Sequence, residues 1–269
     1  MASGIRRIGF VTAVLLGLAS AASADTLRVG GIGAATAFLP ELFAAFEPNG
    51  PAKLKIIPSL GSSGGLRALE DGLLDIAVTG RPLTADELKR GLTPAVTIRT
   101  PFILVTSHRN PDGFKSDDIP RLYKSPQATW SDGTPIRIIL RPKSDSDTPA
   151  LTAMLPGMAA AVDEARRRPD VPIAATDQDN ASLAERVPGS LASSTLTQIK
   201  AEARNLRIIA VDGVVPSIET FRSGAYRFGK TLAFVLPAQK SPAAERFIAF
   251  LQSPAGQTAL HATSNLLVD

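Results

Sequence analysis

The chain has 269 residues, 44% hydrophobic and 5% aromatic, with no cysteine and a formal net charge of +4. Without cysteine there is no disulfide and no lipid-modified N-terminal cysteine, so the core must hold itself. Two of the basic residues lie in the leader described next, which leaves 27 basic against 25 acidic side chains and a net charge of about +2. That balance argues for neither nucleic acid nor a membrane surface, and the few aromatics argue against base stacking.

Arg6 and Arg7 precede an apolar run from Ile8 to Ala19, and Ala22-Ser-Ala24 supplies a small-x-small cleavage site. This is the pattern of a secretory signal peptide over residues 1–24, cut before Asp25 and too short to span a bilayer. We therefore expect a mature chain free in the periplasm. The sequence leaves open a Sec or a twin-arginine route.

Thr26 to Val29 reads as a strand, the glycine-rich stretch to Thr36 as a turn, and Phe38 to Glu47 as a helix stopped by Pro48-Asn-Gly-Pro51. Phe38, Leu42, Phe43 and Phe46 fall on one helical face. Gly31-x-Gly33 lacks the third glycine of a dinucleotide fingerprint. Lys53 to Ile57 is a second strand and leads into Pro58-Ser-Leu-Gly-Ser-Ser-Gly-Gly-Leu-Arg67, followed by a helix from Leu66 to Gly72. Its glycines uncover backbone N–H groups, Ser62 and Ser63 add hydroxyls, and the helix dipole points its positive end at the turn. Such a turn can seat an anion or can be a serine-capped helix start that binds nothing.

Asp75 to Thr79 is a third strand, followed by Gly80-Arg81 and a helix whose capping box is Thr84 with Glu87. Thr100 to Ser107 is an apolar strand, and Asn110-Pro-Asp-Gly113 marks a turn at a domain crossing. A short helix near Asp117 to Tyr123 comes next, then Trp130-Ser-Asp-Gly133 and a strand from Ile136 to Leu140. Arg141-Pro-Lys-Ser-Asp-Ser-Asp-Thr148 follows, then a helix around Pro149 disturbed at Pro156-Gly157. From there to Arg207 no element is assigned; the next strand is Ile208 to Val211. Leu232 to Leu236 is a returning apolar strand, and Pro242 to Leu251 a final helix burying Phe247, Ile248 and Leu251.

Repeated strand, glycine turn and helix is the rhythm of an α/β sheet, which binds ligands at the carboxyl ends of its strands. His108 and His261 are the only histidines and lie far apart. No metal-ligand spacing and no nucleophile elbow is present, so we expect no metal, no cofactor and no catalysis.

Taken together, Gly61-Ser-Ser-Gly-Gly65 with Gly72-x-x-Asp75 and Arg81-Pro-Leu83, Trp130-Ser-Asp-Gly133, Gly213-Val-x-Pro-Ser-x-Glu-Thr220, Ser223-Gly-x-Tyr226 and Ser253-Pro-x-Gly-Gln257 resemble the periplasmic phosphate-binding proteins of ABC transporters. The resemblance covers nearly the whole mature chain. It implies an α/β fold of two lobes of the type II periplasmic binding class, with mixed sheets joined by two crossing strands. The lobes would be 25–106 with 231–269, and 107–230. It also implies a monomer that closes on phosphate or a related tetrahedral oxyanion and delivers it to an inner-membrane ABC permease.

By the same resemblance, Ser62 and Ser63 donate to the oxyanion, with Ala35 or Thr36 from the first turn. Arg141 supplies the arginine, and Ser146 and Thr148 the hydroxyls of a helix-start loop. Two departures stand out. The family's aspartate after the third strand is Gly80 here, with Arg81 beside it, and its loop glycine is Asp147, with Asp145 just before. Losing the aspartate leaves a phosphate proton without an acceptor, at about 1–3 kcal/mol. Asp145 or Asp147 can replace it, or can cap the helix and repel anions. Two alternatives remain: a sensor or scaffold protein of the same fold acting on a membrane partner, and an exported hydrolase.

Overall fold

A computed structural model describes residues 26–47 and 53–268. The expected signal peptide and the Pro48 to Pro51 helix stop lie outside the described residues. The first elements are β1 (Thr26–Gly31), α1 (Gly33–Phe46), β2 (Lys53–Ile57), α2 (Gly61–Glu70), β3 (Ile76–Thr79), α3 (Ala85–Lys89) and a long β4 (Thr93–Thr106). Then come α4 (Ile119–Lys124), β5 (Arg137–Ile138), α5 (Asp147–Ala153), α6 (Met158–Arg166), α7 (Asp177–Arg186), β6 (Ser190–Thr195), α8 (Leu196–Ala201), β7 (Arg207–Ile208) and α9 (Ile218–Arg222). The chain returns through β8 (Gly229–Leu236) and ends in α10 (Pro242–Gln252), α11 (Pro254–Ala262) and β9 (Leu266–Leu267).

β1 lies between β2 and β3 as parallel neighbours, and β8 pairs antiparallel with both β3 and β4. β4 is the strand that joins two cores. Its first part pairs with β8 as far as Pro101, and its end, from Phe102, pairs with β6. One core gathers Leu27, Val29, Phe38, Leu42, Ile76, Ile98, Phe234 and Phe247. The other begins at Phe102 and takes in Tyr123, Trp130, Ile138, Met158, Leu191 and Tyr226. The chain therefore changes core within β4, ahead of the expected boundary after Thr106. A smaller cluster of Leu66, Leu69, Leu74 and Val235 fills the space under α2.

Two helices start earlier than the sequence predicts. α2 begins at Gly61, so the Ser/Gly stretch is its first turn rather than the turn before it. Gly65 makes this possible: a Cβ there would lie 2.7 Å from the Cα of Gly31. Helix backbone thus rests directly on the end of β1. α1 begins at Gly33 although its N-cap, Ile32, supplies no capping side chain. Its cap comes from the other core, as described below. The stretch between Gly157 and Arg207, where the sequence suggests no element, holds all of α6, α7, β6 and α8. The Thr84 and Glu87 capping box forms as expected.

Candidate functional site

The carboxyl ends of β1, β3 and β5 and the crossing strand β8 converge where the two cores meet. From the first core come the start of α1, the first turn of α2 and Gly80. From the second come the Arg141 to Thr148 loop and the start of α7. Burying charge here is costly unless each charge finds a partner, and the structure supplies those partners from both sides.

Arg141 follows the short β5 and is only 4% exposed. Its Nη2 donates to Asp145 Oδ2 at 2.6 Å and to Asp177 Oδ1 at 3.0 Å, and its Nη1 donates to the carbonyl of Ala174 at 2.6 Å. Its Nε is buried and has no hydrogen-bond partner. The second oxygen of Asp177 accepts the N–H of Ala34 at 2.9 Å. One carboxylate from α7 thus sits on the positive end of α1 and on the guanidinium of Arg141 at once. Gln178 adds a second crossing, donating to the carbonyl of Gly33 at 3.1 Å.

Lys230, on β8, is buried and donates to Ser146 Oγ at 2.9 Å and to the Asp147 carboxylate. Asp145 also accepts the N–H of Asp147 at 2.8 Å and so helps start α5. Carboxylate oxygens of Asp145, Asp147 and Asp177 lie within 4.8 Å of one another. Three carboxylates face two cations, leaving one excess negative charge. Burial pushes the Asp177 carboxyl above the usual carboxylate range, and the nearby Asp147 charge adds to the rise against the pull of Lys230 and Arg141. Burial acts to lower Lys230, but the Asp147 and Asp177 charges outweigh it and hold the ammonium above its ordinary value. Each of the three carboxylates is already held by Arg141 or Lys230, so a metal ion would have to displace a fixed cation to bind here.

The residues expected to line the site are only partly brought together. Arg141, Asp145, Ser146 and Asp147 form the charged cluster. Gly80 borders it: a Cβ there would lie 2.7 Å from Ser146 Oγ and 2.8 Å from Lys230 Cε. The space that a side chain at position 80 would take is filled by Ser146 and the lysine. Ser62 accepts the N–H of Gly80 at 3.0 Å through its Oγ, tying α2 to the end of β3. Thr36 turns its hydroxyl back onto the carbonyl of Gly33 at 2.8 Å. The backbone N–H groups of Ala35 and Thr36 both point to the carbonyl of Ile32. The donor that α1 offers across the cleft is Ala34, one residue before the expected pair. Thr148 donates its hydroxyl to the carbonyl of Pro142 at 2.8 Å, bracing the loop.

Arg81 and Ser63 belong to a separate arrangement. Both oxygens of Glu87 accept from Arg81, at 2.9 and 2.7 Å, and Arg81 also donates to Ser63 Oγ at 3.2 Å. The guanidinium holds the Glu87 carboxyl down to about 2. Arg81 thereby locks the capping box of α3.

Asp177, Gln178 and Lys230 are not among the residues the sequence points to. A signal exists for the first two, because Thr176 and Asp179 form a capping box that starts α7. Lys230 is a lone charge at the start of an apolar strand, with no local partner to betray it. Beside the cluster lies a cavity of about 120 Å³, lined by Ile32, Gly33, Ser59, Gly61, Arg141 and Asp177 among others. At about 30 Å³ per water it has room for roughly four waters, or for one small ion. A larger cavity of about 660 Å³ lies at the other end of the first core, where Arg28 is paired with Asp75 and Arg90 with Glu70.

A family model described as a PBP superfamily domain matches residues 18–255. Three solved structures illustrate the likeness in fold. A Clostridium perfringens protein solved with bound phosphate, and assigned as a phosphate ABC transporter substrate-binding protein, is 18% identical with a TM-score of 0.72, covering 91% of this chain and 100% of its own. An ABC-type phosphate transport receptor from Vibrio cholerae is 15% identical with a TM-score of 0.57, covering 90% and 100%. A reduced form of OxyR from N. meningitidis is 12% identical with a TM-score of 0.58, covering 91% and 99%. At these identities the likeness establishes the α/β fold with its mixed sheet and does not carry a ligand across. No curated protein sequence matches the chain.

Proposed function

The chain belongs to the PBP superfamily, and on that footing we propose that it is a periplasmic solute-binding protein for phosphate or a related tetrahedral oxyanion. It passes the anion to an inner-membrane ABC permease, acts as a monomer and catalyses no reaction. The two cores are its lobes, and export depends on the leader that ends near Ala24. No helix among the described residues is long and apolar enough to cross a membrane.

One observation carries this reading. Buried Arg141 and the N-terminal N–H of Ala34 together hold an oxyanion already, the carboxylate of Asp177. Guanidinium forks and helix N-termini bind phosphate oxygens with the same hydrogen bonds they offer a carboxylate. The buried Nε of Arg141 is a further donor that has no partner.

A second reading has its own support. Apart from that Nε, the cationic donors of the cluster point at the protein's own side chains or carbonyls, as in a sensor or scaffold that binds no ligand here. Calorimetric titration of mature protein, freed of bound anions, with phosphate, sulfate, molybdate and tungstate separates the two. The transport reading predicts saturable binding of one anion per chain. Absence of heat with all four anions overturns it in favour of the sensor or scaffold.

A further inference from the structure

We propose that Asp177 is the specificity-determining residue of the cleft: its carboxylate is a built-in competitor that an incoming oxyanion displaces, and this selects a singly charged oxyanion over a dianion. The proposal rests on the oxyanion reading above and adds the charge class of the ligand and the means of selecting it.

The geometry is that of a ligand tethered to the wall. Asp177 reaches from the start of α7 in one core to Ala34 in the other, at 2.9 Å, and meets Arg141 on the way, at 3.0 Å. It is 6% exposed, so no bulk water competes for these donors. The cavity of about 120 Å³ opens beside it and shares Arg141 and Asp177 as walls. An anion entering that cavity reaches Nη2 of Arg141 and the N–H of Ala34 only by taking the place of the Asp177 carboxylate.

Charge counting then sets the ligand class. With Asp177 in place, Arg141 and Lys230 face Asp145, Asp147 and Asp177, a net of one negative charge. If Asp177 swings out, the remaining four groups cancel. A singly charged oxyanion restores the charge that the fold already accommodates. A dianion adds one uncompensated charge in a buried site, which is strongly disfavoured. The Lys230 ammonium does not relieve this, because Asp147 and Ser146 already hold it.

The same groups set the pH response. Asp177 is faced by Arg141 from the loop after β5, by Asp145 just before α5 and Asp147 within it, by Lys230 from β8 and by the dipole of α1. Its own helix adds Asp179, which caps Thr176, and Gln178 links it to Glu202 after α8. Burial raises the Asp177 carboxyl, so protonation releases its grip on Arg141 as pH falls. Phosphate gains a proton over the same direction of pH and becomes the singly charged species. Both changes favour binding in mildly acidic solution.

The test is calorimetry with phosphate and sulfate on wild type, Asp177→Ala and Asp177→Asn, at mildly acidic and mildly alkaline pH. Thermal melts confirm that each variant is folded. Asparagine keeps the shape and can still accept from Ala34, so it guards against a folding defect in the alanine variant. If the seat is free of Asp177 in a tenth or less of wild-type molecules, removing the competitor tightens binding by about tenfold or more. The expected order of phosphate affinity is Asp177→Ala, then Asp177→Asn, then wild type. Wild type should bind phosphate more tightly at the lower pH, and more tightly than sulfate there. Binding in Asp177→Ala with none in wild type would make Asp177 a permanent occupant that no anion displaces, and would overturn the proposal. If wild type binds phosphate and Asp177→Ala binds no better, the competitor is refuted while the oxyanion function stands. If wild type prefers sulfate, the charge selection is refuted. If neither wild type nor either variant binds any anion, the oxyanion reading fails and this proposal with it.

Discussion

Replacing Arg141 with alanine is expected to destabilise the protein by about 3–5 kcal/mol, in addition to removing its anion affinity. From the sequence alone, Arg141 reads as a ligand-binding arginine. In the structure its guanidinium is also the hydrogen-bonded partner of both Asp145 and Asp177, and it ties the carbonyl of Ala174 to the loop. Without it, buried carboxylates lose their counter-charge. Lysine at 141 keeps the charge but not the planar fork that serves three acceptors. Urea denaturation should therefore rank wild type above Arg141→Lys and Arg141→Ala lowest. The deficit of the alanine variant should shrink as pH falls, because the stranded carboxylates can then be neutralised. An alanine variant within about 1 kcal/mol of wild type, the usual span of a surface ion pair, would show that the cluster is solvated rather than buried.

Lys230→Met is expected to cost a similar amount, about 3–5 kcal/mol, by leaving Asp147 unpaired beside Asp177. Methionine fills the volume next to Gly80, so the loss reports charge and not a cavity. The double variant Lys230→Met with Asp147→Asn should recover most of the stability, since it removes both members of the pair. A double-mutant cycle in urea reads this as a coupling of about 0.5–3 kcal/mol. Additive single effects would mean that the contact between Lys230 and Asp147 contributes nothing.

The parts of the fold that are readable in the sequence are those with local causes. β2 occupies Lys53–Ile57 as expected, and α10 starts at Pro242, behind the Ser241 cap. In the sequence α1 reads as starting at Phe38, because the group that caps its first turn, Asp177, lies 143 residues away. β6 is hidden for a different reason. Its sequence Ser-Leu-Ala-Ser-Ser-Thr is buried throughout, yet most of its side chains are hydroxyls or a methyl, so it lacks the apolar run of an interior strand. α7 buries Asn180, Ala181 and Ala184 and shows only a faint apolar face.

The candidate site divides along the same line. Arg141, Asp145, Ser146 and Asp147 sit in one short loop, where residue types and spacing can be weighed together. Their counterparts, Lys230 and Asp177, come from distant segments, and only the folded chain brings them to the loop. The two departures at Gly80 and Asp147 look independent in the sequence. In the structure they are linked, because Lys230 fills the space beside Gly80 and pairs with Asp147.

The central question is whether an anion enters the seat formed by Arg141 and the start of α1. The direct measurement is a phosphate titration followed by nuclear magnetic resonance at two sites, the backbone amide of Ala34 and the Nε–H of Arg141. Both signals should shift together and saturate at one phosphate per chain, with the Nε–H gaining the hydrogen bond it lacks in this structure. Phosphate that binds elsewhere, or not at all, would leave both signals in place and contradict the proposed seat.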